Sequence, residues 1–256
     1  MIAGLTLFFL LGLLGGSFAN AFEYRWYHGR PWAWDRSRCP QCQHLLGVKD
    51  LIPLFSWCLL KGKCRYCRHR ISWQYPLVEL SQGILMALLF FFAQDNFLAG
   101  GREFWFYLLR GLFFFTPLLI IFLCDWKYNL IPSNLIYFLA LVAILSWPFA
   151  PFFNLSLAGK ILLAAFSGGI FFALLYFLTR GRGLGWGDVE LGLVLGLWLG
   201  WPQIFYTIYT AYLGGGLIAL SLLLLRRKKI GQTIAFGPFL IAAAIIVYYI
   251  FPPGKV

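Results

Sequence analysis

GLGWGDVEL, residues 183–191, sets one acid, Asp188, at the mouth of an apolar run that continues to Gly200. A second acid, Asp125, sits in LCDWKYNLIP, residues 123–132, where another apolar run ends. Carboxylates at the border of a membrane-spanning segment are costly and rare, so each marks a functional site by default. The whole chain holds nine Asp and Glu. Two of them placed alike in so acid-poor a chain point to a working carboxylate pair.

The surrounding composition sets the class. Of 256 residues, 61% are apolar, 20% aromatic and 12% charged, whereas soluble domains carry about 25% charge. Several uninterrupted apolar runs approach the roughly 20 residues that cross a bilayer as helix. They do not alternate as the strands of a membrane barrel would. The reading is an all-α polytopic membrane protein with about eight transmembrane helices. The net charge of +12 then bears on topology and lipid rather than on nucleic acid, because Lys and Arg concentrate in cytoplasmic loops.

Residues 2–22 form the first apolar segment. Ala19-Asn20-Ala21 resembles a small-residue cleavage site, but no basic residue precedes the apolar part as in secretory signals. The segment therefore reads as a retained helix, followed at once by Arg25, Arg30, Arg36 and Arg38. Residues 23–75 are the one sizeable polar region, expected as a cytoplasmic module between helices 1 and 2. Seven apolar segments follow, near 76–93, 104–124, 131–149, 158–179, 189–200, 204–225 and 234–251, expected as one membrane domain over 76–256. Eight crossings put both termini outside. The polar module, Lys127, Arg180, Arg182 and residues 226–229 then fall inside, leaving Arg102, Arg110, Lys160 and Lys255 at or near outer ends. On that topology Asp125 and Asp188 share the cytoplasmic border, although neither was used to set it.

The polar module contains Cys39-Pro-Gln-Cys42 and Cys64-Arg-Tyr-Cys67. Two C-x2-C pairs bring four thiolates to one tetrahedral ion, the donor set of structural zinc. Two disulfides are the alternative, disfavoured in a reducing compartment, and iron is the alternative metal. Arg38, Lys63, Arg65 and Arg68 would offset the thiolate charge. With all four positions filled, the ion has no open site for catalysis and serves to fold a segment too polar to build a core. Cys58, Cys124, His44 and His69 lie outside the ligand set.

A carboxylate pair sharing one water can hydrolyse an amide without metal. The ionised acid takes a proton from water and the protonated one polarises the carbonyl; two like charges held close cannot both ionise. Gly185 and Gly187 would let the backbone leave helical geometry before Asp188 and give an extended substrate room. The competing readings are an Asp188 that caps a helix with Asp125 in a loop near Lys127, and a transporter using both acids as a proton relay, which would place them nearer the membrane middle.

These motifs, taken in order, resemble the bacterial type IV prepilin peptidases. GSFANAFEYR (16–25), CPQCQHLLGVKDLIPLFSW (39–57), GKCRYC (62–67), ISWQYPLVEL (71–80), Asp125 with Ile131-Pro132, GWGD (185–188) and FGP (236–238) are similar to that family's segments. The resemblance implies a bifunctional inner-membrane enzyme of the GxGD aspartyl protease type. Such an enzyme cleaves the leader of prepilins or pseudopilins after a glycine, on the cytoplasmic side, and then N-methylates the new terminus with S-adenosylmethionine. It implies Asp125 and Asp188 as the catalytic acids, and Cys39, Cys42, Cys64 and Cys67 as zinc ligands. Glu190 stands where Lys is usual, Ala235 where Pro is usual, and Glu23 at an apolar position. No G-x-G-x-x-G follows a strand, so methyl-donor ligands are not assigned beyond the candidates Glu79 and Gly83. The basic surface is expected to hold anionic lipid headgroups, since it would repel a basic leader.

Overall fold

The computed structural model describes residues 1–98, 101–150, 153–225 and 235–251, without the side chains of 94–98 and 102–103. Residues 226–229 and Lys255, which the topology reading uses, lie outside these. The elements are α1 (Ile2–Tyr27), the short α2 (Phe55–Leu59), α3 (Gln74–Leu98), α4 (Arg102–Tyr128), α5 (Ser133–Ser146), α6 (Leu155–Thr179), α7 (Trp186–Leu199), α8 (Gln203–Leu224) and α9 (Gly237–Ile250). Apart from α2, each helix coincides with one of the eight apolar segments. The protein is all-α and polytopic. Strand pairing among the described residues is limited to two isolated bridges, Arg38 with Leu45 and Lys63 with Arg70. By length and composition α1, α3, α4, α6 and α8 can each cross a bilayer, while α5 and α9 are shorter apolar helices. The 131–149 segment forms α5 and then a 3₁₀ turn, Trp147–Phe149; Pro148 lacks the N–H that would continue the helix.

The chain folds as two compact units. The first comprises Met1–Ala99 with Phe114–Ile120. Here α1 and α3 pack with their backbones touching. A Cβ on Gly12 would lie 2.5 Å from the Gln82 carbonyl oxygen, and one on Gly16 would lie 2.6 Å from Glu79 Cα. Small residues four apart permit such an approach, which is how helices associate where lipid removes the hydrophobic drive. A polar ribbon runs beside this seam. Asn20 Nδ2 donates to the Tyr75 carbonyl at 3.2 Å, Gln74 Nε2 donates to Asn20 Oδ1 at 3.1 Å and Glu23 Oε2 at 3.2 Å, and Gln82 Nε2 donates to Thr116 Oγ1 at 2.9 Å. Glu23 thus enters a buried amide network.

The second unit comprises Gly100–Phe113 with Ile121–Val256. Its centre is α7, buried along nearly its whole length. A Cβ on Gly196 would lie 2.6 Å from Ala165 Cα, and one on Gly168 would lie 2.5 Å from the Gly192 carbonyl oxygen, so α6 and α7 also meet backbone to backbone. Arg110 is not at a helix border. It lies within α4 and is 1% exposed. Its Nη2 donates to the Trp198 carbonyl, and its guanidinium lies 4.2 Å over the Trp147 ring and 5.0 Å over Phe106. Trp147 Nε1 donates to the Leu197 carbonyl at 2.6 Å. Trp198 stacks on Tyr248 of α9 at 4.7 Å, and Tyr248 donates its hydroxyl to the Tyr107 carbonyl at 3.0 Å.

Candidate active site and metal knuckle

Asp125 lies in the last turn of α4, which ends at Asn129 in the left-handed conformation with its N–H on the Asp125 carbonyl. Asp188 lies in the first turn of α7. Both acids are buried, at 6% and 7% exposure, and they are near enough that the charge of Asp125 acts on Asp188. The capping alternative is met in part, for Asp188. Asp125 is helical rather than in a loop. Asp188 does help start its helix, as Oδ2 accepts the Gly185 N–H at 3.1 Å, but Oδ1 is buried and unpartnered, as is Asp125 Oδ2. A buried carboxylate oxygen without a donor costs roughly 1–3 kcal/mol or more. That cost is sustained once in each acid, which is the arrangement a pair needs if a water or substrate group is to complete it.

The glycines act through space more than through unusual backbone. Gly185 is extended, with φ −83°, and caps α7. Gly187 is helical, contrary to the expectation that it frees the chain from helical geometry. A Cβ there would lie 2.9 Å from the Ile131 Cβ, so its small size lets the α4–α5 connection close on α7. Gly237, at the start of α9, faces the acids from a third side. Its backbone N–H is directed at the Asp125 carboxyl, and a Cβ there would lie 2.5 Å from Asp125 Oδ2. FGP thereby joins the acid motifs. Aromatic rings wall the site. Tyr212 of α8 feels the Asp188 charge and packs on Phe236 at 4.8 Å, and Phe236 meets Phe172 at 5.9 Å. Nothing in the sequence separates Tyr212 from the other twelve tyrosines. Glu190 leaves Oε2 buried without a partner.

In the first unit, Cys39, Cys42, Cys64 and Cys67 place all four Sγ atoms within 4.8 Å of one another. Tetrahedral zinc with Zn–S of about 2.3 Å needs S···S of about 3.8 Å, and Cys39 Sγ lies 3.8 Å from Cys67 Sγ. The donor set fits a zinc module. Each pair is one copy of the same turn, C-x-x-C-x-H. Cys39 N–H donates to the His44 carbonyl at 3.0 Å and Cys64 N–H to the His69 carbonyl at 2.8 Å. Gln43 and Arg68, both with φ near +60°, occupy equivalent positions. Burial opposes ionisation of Cys64, but the N–H groups of Cys67 and Tyr66 point at its sulfur and bring the thiol down to about 7. Arg65 pairs with Asp50, Nε to Oδ1 at 2.7 Å. Asp50 Oδ2 accepts from Tyr66 Oη and Gly47 N–H, both at 3.1 Å, and Tyr66 packs on His44 at 3.6 Å. Asp50 thus braces the second knuckle from outside.

Glu79 is 7% exposed, and its Oε2 accepts the Leu54 N–H at 2.8 Å. Leu54 has φ 59° and ψ −49°, and Phe55 N–H closes on the Pro53 carbonyl at 2.6 Å. This is a γ-turn of the rare, strained hand, pinned by a carboxylate from α3. Gly83 packs rather than opening a pocket, since a Cβ there would lie 2.8 Å from Leu13 Cδ2 and 2.9 Å from Phe9 Cε2.

Two buried, interacting carboxylates at helix ends narrow the class of this polytopic helical membrane protein. A cysteine knuckle following the first helix narrows it further. Residues 10–93 match the bacterial peptidase A24 N-terminal domain, and residues 112–220 match the type IV leader peptidase family. The chain belongs to that family. It is 32% identical to a prepilin leader peptidase/N-methyltransferase of Pectobacterium carotovorum subsp. carotovorum, over 90% of this chain and 88% of the relative. It is 32% identical to one of Bacillus subtilis (strain 168) over 95% and 93%, and 30% identical to one of Pseudomonas aeruginosa over 93% and 87%. No solved structure matches.

Proposed function

We propose that this protein cleaves the leader from prepilins or pseudopilins with Asp125 and Asp188, and then N-methylates the exposed amine with S-adenosylmethionine. The observation that carries the reading is the acid pair itself: two buried carboxyls acting on each other, each with an oxygen that has no protein partner. One acid is protonated and donates to the scissile carbonyl oxygen; the other is ionised and draws a proton from water as its oxygen adds to the carbonyl carbon. Collapse of the tetrahedral adduct returns that proton to the leaving amine and breaks the C–N bond. The Gly185 N–H fixes Asp188, and the Gly237 N–H fixes Asp125. A Cβ added at Gly185 would meet only Asp188 Oδ2 and the Gly187 nitrogen within 4 Å, which leaves space for an extended peptide.

Cys39, Cys42, Cys64 and Cys67 hold zinc, whose coordination they fill, and the ion orders the loop. The methyl group passes from the donor's sulfonium to the neutral amine, releasing a thioether and a proton. Glu79 and Gly83 remain candidates for this half of the reaction through the module geometry they maintain. The enzyme sits in the bacterial inner membrane with loop and acids on the cytoplasmic side and both termini outside, and its basic surface holds anionic lipid. The proton-relay reading is disfavoured by acids at helix ends and by relatives named as peptidases. Asp125→Asn and Asp188→Asn decide the matter. Each should give folded protein that leaves a prepilin uncleaved while still methylating pre-cleaved peptide, and cleavage at the wild-type rate by either would end the reading.

A further inference from the structure

The three helices that meet at the acids also meet a second time. Helix α4 carries Asp125 and, fifteen residues earlier, Arg110; α7 carries Asp188 and, ten residues later, Trp198; α9 carries Gly237 and, eleven residues later, Tyr248. At about 1.5 Å per residue the second meeting lies about 15–22 Å along each helix from the first. It is fully buried and polar. Arg110 is 1% and Trp198 0% exposed, Tyr248 3% and Trp147 4%.

A buried guanidinium in a membrane-spanning helix needs compensation, and no carboxylate supplies it among the described residues. Two other sources do. One is the C-terminal end of α7, where unsatisfied carbonyls carry the negative end of the helix dipole. Arg110 Nη2 takes the Trp198 carbonyl and Trp147 Nε1 takes that of Leu197. The other is aromatic faces, with Trp147 at 4.2 Å and Phe106 at 5.0 Å from the guanidinium; Nε and Nη1, which have no hydrogen-bond acceptor, belong to the cation lying over these two rings. Removing the guanidinium strands the Trp198 carbonyl in an apolar interior. At the other end, beside Asp188, Gly187 closes on Ile131 and Trp186 packs edge-on against Tyr176 of α6 at 5.6 Å.

We infer that Arg110, acting through α7, is a positioning residue for the acid pair: the Arg110–Trp147–Trp198–Tyr248 cluster fixes the far end of α7, so that Asp188 meets Asp125 in register. This rests on the reading of Asp125 and Asp188 as the reacting acids. The test compares Arg110→Met, Arg110→Lys and Trp147→Phe in the full chain in detergent or proteoliposomes. Arg110→Met should remain folded by thermal melt and methylate pre-cleaved peptide within about 2-fold of wild type, but lose roughly 10–100-fold in kcat for leader cleavage with KM little changed, as misplacement by about 1 Å does. Arg110→Lys, which keeps a donor for the Trp198 carbonyl, should recover part of kcat, and Trp147→Phe should fall between. A readout independent of activity is hydrogen exchange of the α7 amides around Asp188, which should stay slow with Arg110 and speed up about 10-fold or more in Arg110→Met. Unchanged kcat in folded Arg110→Met, or both activities falling together with the folded fraction, or unaltered exchange around Asp188, overturns the inference. If Asp188→Asn still cleaves, the acid reading has failed instead, and the exchange alone then judges the clamp.

Discussion

Gly237→Ala tests how tightly the acids are set. The new Cβ would lie 2.5 Å from Asp125 Oδ2, whereas ordinary contact begins at 3.4 Å. Ile131 Cδ1 at 3.6 Å closes another direction. Either the carboxyl or the start of α9 must shift by about 0.9 Å, and displacements near 1 Å at a reacting group cost about 10²-fold in rate. The overpacking itself costs roughly 1–3 kcal/mol of stability, too little to unfold a membrane helix bundle. The expected result is a kcat for leader cleavage reduced about 30–100-fold, with KM and methylation of pre-cleaved peptide near wild type. Gly159→Ala is the control: an added Cβ there meets nothing within 4 Å, and cleavage should be unaffected. The assay is a time course on a purified prepilin with quantified protein fold. If Gly237→Ala cleaves within about 3-fold of wild type, the Gly237 amide does not face a working carboxyl and the site geometry argued above is wrong.

Four further outcomes follow from the same structure. Gly196→Ala pushes a Cβ to 2.6 Å from Ala165 Cα and should lower the thermal midpoint by an amount matching roughly 1–3 kcal/mol, measured by differential scanning fluorimetry. Cys64→Ser, or a strong chelator, should release about one zinc per chain by elemental analysis and melt the 39–70 module, because structural-site binding energy is folding energy. Asp50→Asn should change the acid sensitivity of that module. Burial works against Asp50 ionisation, but Arg65, Gly47 and Tyr66 more than offset it and hold the carboxyl below its ordinary range. Its contribution is therefore present above the unfolded carboxyl's range near pH 4 and lost as pH falls through the lower folded value, so the variant's zinc retention should be poorer at neutral pH and flatter on acidification. Glu79→Gln keeps an acceptor for the Leu54 N–H and should preserve more methylation than Glu79→Ala, with leader cleavage spared in both.

Much of this was legible because apolar runs report helices directly. All eight segments became helices, with ends within a few residues, and the spacing C-x2-C identified the metal knuckle that the sulfur geometry supports. What stayed hidden depends on three-dimensional neighbours. Gly12-x3-Gly16 and Gly192-x3-Gly196 were available as close-packing signals but were overshadowed by the glycines beside Asp188. The knuckle repeat stands in the sequence as C-x2-C-x-H twice, at 39–44 and 64–69, but six residues identify a shared turn only when the backbone hydrogen bonds are seen. Asp50, Tyr66 and Tyr212 carried no motif. The burial of Arg110 was not legible because sequence alone sees a charge and expects water, whereas here a helix terminus and two aromatic faces substitute for it. Gly187 was assigned unusual backbone when what it supplies is the absence of a side chain opposite Ile131.

The brevity of α7 has its own consequence. Fourteen residues reach about 21 Å as helix, whereas the hydrocarbon layer is about 30 Å deep. A rod too short for its slab, walled by α5, α6, α8 and α9, leaves some depth of the bilayer uncrossed along its own axis. On the proposed reading, a shortfall before Trp186 would give the acid pair a wet inlet without any channel being built: the aqueous phase would need only to follow it down to the carboxyls.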